Sequence, residues 1–85
     1  MYNSTVESMK FPQYRKYKNN QAYFKIISDV EFEEIKRIGK KSLVTKVIAR
    51  QYPEKVFISD LLVRYADFAD VISEAEYLKA GSANH

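Results

Sequence analysis

A chain of 85 residues, 46% hydrophobic and 29% charged, has the length and composition of one small folded domain and is too short for two. The absence of Cys excludes disulfide scaffolds and thiolate chemistry, and a single His, the last residue, leaves no imidazole cluster for a transition metal or a nucleophile. The net charge of +3 is unevenly spread: residues 10–55 carry 12 Lys/Arg against 5 Asp/Glu, and residues 56–85 carry 2 against 5. A basic first part suits an anionic partner, or the acidic part of a second copy.

Residues 1–10 read as a flexible, polar N-terminal segment, 11–79 as the single domain, and 80–85 (AGSANH) as a flexible tail. The first 14 residues lack the apolar core of a signal peptide, and no run approaches the ~20 apolar residues of a membrane span. The expectation is a cytoplasmic protein with no membrane partner. Inside the domain, QYRKYK and AYFKII flank Asn19-Asn20, the pattern of a tight hairpin. A two-residue loop sets Lys16 opposite Tyr23, Arg15 opposite Phe24 and Tyr14 opposite Lys25. Tyr17, Ala22, Phe24 and Ile26 then share one face, and Tyr14, Lys16, Lys18, Tyr23 and Lys25 the other.

The stretches IISDVEF and VISEAEY, aligned on Ser28 and Ser73, are one phrase written twice. In each, a Ser is followed three residues later by a Glu, the reciprocal arrangement that satisfies free amides at a helix start. Acids at positions 29–34, Lys36 and Arg37 behind them, and Gly39 beyond predict a short helix over 29–38. The second copy predicts a helix capped by Ser73, boxed by Glu76, packed through Tyr77 and Leu78 and ended at Gly81. Each phrase therefore reads as a strand running into a capped helix, which is architecture and not an active site.

Between the copies, residues 42–51 have strand composition, with Leu43, Thr45, Val47 and Ala49 on one side. The stretch 52–55 reads as a turn with Pro at its second position, and 56–58 as the partner strand. Residues 59–72 are ambiguous. Leu61, Tyr65, Phe68 and Ile72 have helical spacing after a Ser59 cap, but the match to residues 23–28 favours a short helix or turn followed by a last strand. The whole is an α+β domain: an antiparallel sheet of four to five strands with two or three short helices.

Catalytic chemistry is poorly supplied: Ser28, Ser42, Ser59 and Ser73 have no imidazole to activate them, so no enzyme is expected and no catalytic residue is assigned. Asp67, Asp70 and Glu74 provide too few oxygens for a hard cation, and neither metal nor cofactor is expected. Two binding readings remain. The alternating rings and ammonium groups of Tyr14, Lys16, Lys18, Tyr23 and Lys25, extended by Lys36, Arg37, Lys40 and Lys41, resemble faces that stack bases and track phosphates. The leading reading is a small non-catalytic interaction module that binds a protein partner or forms a homodimer, with Tyr-rich strands and complementary charge in its two parts.

The run FPQYRKYKNNQAYFKIISDVEFEEI, the stretch QYPEKVFISDLL and the ending ISEAEY resemble a group of short bacterial proteins of unknown function, of a Bacteroidales type. The resemblance covers Phe11 to about Tyr77. It implies a bacterial setting and transfers no residue roles.

Overall fold

A computed structural model of the protein describes residues 9–81. These residues form five strands, β1 (Gln13–Tyr17), β2 (Ala22–Ser28), β3 (Glu31–Ile38), β4 (Lys41–Ile48) and β5 (Ala69–Val71), with helices α1 (Tyr52–Val63) and α2 (Glu74–Gly81). A 3-10 turn, Tyr65–Asp67, leads from α1 into β5. The sheet is antiparallel throughout, in the order β4-β3-β2-β1-β5, so the class is α+β. Among the described residues no helix is long and apolar enough to cross a membrane.

The first hairpin has the expected register, with Tyr14 opposite Lys25, Arg15 opposite Phe24 and Lys16 opposite Tyr23. Its turn closes with the Asn20 amide donating to the Tyr17 carbonyl at 2.9 Å, and Asn20 takes the left-handed conformation (φ 62°). Asn pays little for that conformation, and the Asn19 side chain accepts the Gln21 amide besides.

Each face of the sheet is covered by one helix. On the α1 side Ala22, Phe24, Ile26 and Phe32 pack with Ile58, Leu61 and Leu62. Phe24, fully buried, lies with its ring centroid 5.0–6.1 Å from those of Tyr17, Phe57 and Phe32. On the α2 side Tyr23, Ile35 and Ile72 pack with Tyr77 and Ala80. Ala80 and Gly81, expected in the tail, belong to this helix, and Ala80 is buried.

Two expectations are overturned. Residues 29–38 are not a helix: Asp29 and Val30 are a two-residue turn, and the rest is β3. Phe32 and Ile35, three apart, fit one helical face, but on a strand they point to opposite sides, and here each side has a helix to receive one of them. The acids are used across strands, Glu33 lying opposite both Lys25 and Lys46. Likewise 52–58 is not turn and strand. Pro53 sits in the first turn of α1, where its missing N–H costs nothing, and the Glu54 carboxylate accepts the Arg50 and Gln51 amides at 2.9 and 3.3 Å. Phe57, Ile58, Leu61 and Leu62 then form one face. The short β5 after α1 and the 3-10 turn agrees with the favoured reading of 59–72, while Ser59 lies inside the helix and caps nothing.

Candidate interaction surface

Neither Ser of the repeated phrase has a hydroxyl aimed at a shared cleft. Ser28 Oγ accepts the Val30 amide at 3.1 Å in the β2–β3 turn, and Ser73 Oγ accepts the Glu76 amide at 3.1 Å at the start of α2. Ser42 donates to the Ala80 carbonyl at 3.3 Å, which ties β4 to the end of that helix. Among the described residues no group of three or more His, Cys, Asp or Glu is arranged to hold a metal.

The nine basic and aromatic residues of the anion-binding reading fall into two groups. Tyr14, Lys16, Tyr23 and Lys25 do lie on one face, but α2 covers it. Tyr23 is 8% exposed, and the Tyr14 ring packs at 5.4 Å from that of Tyr77. Lys16 Nζ stands 3.3 Å from a Glu76 carboxylate oxygen, and Lys25 is half-buried. Tyr77 closes the layer by donating its hydroxyl to Glu33 Oε1 at 2.7 Å. Burial first, and then that carboxylate, push its phenol above the ordinary value, and burial raises Tyr14 as well, with Glu74 adding to it. These rings build the core on that side and offer no open surface on which bases could stack.

Lys18, Lys36, Arg37, Lys40 and Lys41 gather at one end of the sheet. Antiparallel strands bring the β1–β2 and β3–β4 turns to the same end, and the Arg37 amide donates to the Gln21 carbonyl at 2.9 Å. Lys18 pairs with Asp70 at 2.8 Å. The other four make no ion pair among the described residues; Lys36, Lys40 and Lys41 are exposed and Arg37 half-buried. The β3–β4 turn is two residues, with Gly39 at φ 62° in its first position, the geometry that lets two long strands run back on each other without splaying.

This hairpin places β4 outermost: the composition of 42–51 predicts the strand, and the strand order makes it a sheet edge. All eight of its residues pair with β3 without a bulge, and its other backbone edge has no partner strand among the described residues. Leu43, Val44 and Ile48 are about half-exposed, at 53, 52 and 49%, and Ile38 on β3 at 56%. The opposite edge, β5, is three residues long. Two lysines on the strand, Lys41 and Lys46, are the trace of an edge in the sequence.

The hairpin pattern predicts for Arg15 only a strand position opposite Phe24. Its side chain is 4% exposed, with Nε donating to the Leu61 carbonyl at 2.9 Å, one terminal nitrogen to the Tyr14 carbonyl at 2.9 Å and the other to Gln13 Oε1 at 2.7 Å. Its guanidinium carbon lies 4.4 Å from the centroid of the Tyr65 ring. Burial lowers its pKa, and a position near the carboxyl end of α1 suits the charge. Compared with protein-family models, curated proteins and solved structures, the chain matches none.

Proposed function

We propose that the protein is a small non-catalytic interaction module that self-associates through β4. What supports this reading is the contrast between the two sheet edges. Natural sheets guard an edge by making it short, bulged or interrupted by Pro, and β5 meets the first condition. β4 meets none of these three: it is eight residues long, regular and flanked by half-exposed aliphatic side chains, with Lys41 and Lys46 as its guards. The absence of Cys suits a reducing compartment such as the cytoplasm.

A second copy fits β4 better than an arbitrary extended segment because the strand complements itself. A two-fold axis normal to the sheet keeps each face continuous, so residues of matching parity must stand opposite each other. With Thr45 opposite Thr45 of the second copy, Leu43 stands opposite Val47, and the aliphatic row that begins at Phe32 and Val47 continues across the junction. The same operation brings the cationic hairpin end of each copy toward the Glu31 and Glu33 end of the other.

Sedimentation equilibrium across a concentration series tests this reading. The wild-type mass should rise from one chain toward two, and Leu43→Lys or Val44→Lys should hold it at one chain while the far-UV circular dichroism and melting temperature stay unchanged. A wild-type chain that remains monomeric at millimolar concentration, or variants that associate as well as wild type, would overturn it.

A further inference from the structure

The free end of the β3–β4 hairpin carries charge that the fold does not use. By register, Lys36 and Lys41 point to the α1 side of the sheet, Arg37 points to the α2 side, and Lys40 occupies the turn. The last acid on β3 is Glu34, and none of these four cations has an ion-pair partner among the described residues. Beyond the pairing of Ala22 with Lys36 and the hydrogen bond from the Arg37 amide to the Gln21 carbonyl, residues 38–41 form a two-stranded tip with no further strand beside it among the described residues. On the α1 face of this end, Ile38 and Leu43 stand half-exposed beside Lys41 and Lys36.

We propose that this ribbon end binds the phosphate backbone of double-stranded DNA by entering the major groove. A flat anionic surface, such as a bilayer, meets one face of a ribbon at a time, whereas a groove has phosphates along both walls. Cations on both faces and at the tip match the groove. A two-stranded ribbon fits the major groove, which is about 12 Å wide and about 8.5 Å deep, and the tip from Ile38 to Lys41, one strand residue on each side of a two-residue turn, enters part of that depth. Inside, Ile38 meets thymine methyl groups and sugars, contacts that stabilise without selecting a sequence strongly. Pairing of β4 with a second copy in the Thr45 register would lay a strand along residues 41–49, so the unpaired chain is the form that enters the groove.

Fluorescence anisotropy of a labelled mixed-sequence DNA duplex, titrated with the full chain at several salt concentrations, tests the proposal. Its companion arms are the corresponding single strand and vesicles containing phosphatidylglycerol. The duplex should bind at low salt, with a slope of log K against log salt of about −3 to −4 for four phosphate contacts. The combined Lys36→Gln, Arg37→Gln, Lys40→Gln, Lys41→Gln variant should bind about tenfold or more weakly and lose most of that slope. Lys40→Gln alone, at an exposed turn position that leaves the strands intact, should lessen the slope by about one. Lys55→Gln with Arg64→Gln, two exposed cations on and just after α1, should bind like wild type. Absence of duplex binding at low salt, a single strand or vesicle preferred over the duplex, or equal losses in the α1 control would overturn the proposal.

Discussion

Tyr77 and Arg15 each join a helix to the sheet through a polar atom that burial makes expensive to strand. Tyr77→Phe removes the hydroxyl donated to Glu33 and should lower stability by about 1–2 kcal/mol in urea denaturation. Its pH dependence has a definite sign. A phenol whose folded pKa lies above the unfolded value of 10.0 contributes stability that is complete below pH 10 and is lost as pH rises toward the folded pKa. Wild type should therefore lose stability as pH rises above about 10, and Tyr77→Phe should lose less over the same interval; equal losses would assign the effect to Tyr14 and Tyr17, whose phenols burial also raises. Arg15→Met leaves the Leu61 carbonyl and Gln13 without their donor and should cost about 2–3 kcal/mol. Arg15→Lys should cost nearly as much, since a single ammonium cannot span three acceptors and the Tyr65 ring. A Lys variant as stable as wild type would show that charge alone suffices there.

At the scale of elements, the twin phrases make a controlled comparison, because the same Ser-to-Glu spacing ends in different structures. Ser73 holds the first turn of α2, a helix whose Tyr77 and Ala80 cover one face of the sheet, so Ser73→Ala should cost about 1 kcal/mol. Ser28 supports a two-residue turn between strands that already pair along their length, and Ser28→Ala should cost well under half of that. Matched thermal melts of the two variants decide the point, and a larger loss at Ser28 would contradict it. The second phrase becomes a helix because Tyr77 and Ala80, on one helical face, cover Tyr23, Ile35 and Ile72 on the sheet. The first becomes a hairpin because β2 lies ready on one side of β3 and β4 on the other.

Across the whole molecule, both helices are required because neither face of the sheet is polar enough to stand in water. Phe24 is fully buried among three rings, and Phe24→Ala should cost about 3–5 kcal/mol, a large part of the ~5–10 kcal/mol expected for a chain of this size. The variant should be largely unfolded at body temperature by near-UV circular dichroism, and a cooperative melt close to that of wild type would refute a core centred there. The charge asymmetry of the sequence is met partly within the chain. Lys16 with Glu76 and Lys18 with Asp70 join the basic first part to the acidic second across β1, β5 and α2. Exposed pairs of this kind contribute about 0–1 kcal/mol each, so they orient the parts more than they stabilise them. The surplus of cations is left at the hairpin end.

The sequence by itself determined what depends on neighbours along the chain. The Asn19-Asn20 turn set the register of the first hairpin, the Ser73 cap began the last helix, and the alternation of 42–49 made a strand. It also placed Tyr17, Ala22, Phe24 and Ile26 on one face, because a fixed turn fixes the parity of every residue after it. The tertiary structure decided 29–38 and 52–58, where local signals for a helix and for a strand were each plausible and both misled. A strand covered on two faces places apolar residues on both, so Phe32 and Ile35 imitate helical spacing until the helices on either side are known. The candidate surfaces followed the same division: the cationic residues could be named from the sequence, but which of them α2 would cover, and that β4 would be an edge, depended on the order of strands and the placing of helices. Those are long-range choices, made by which faces can be buried together, and no local pattern encodes them.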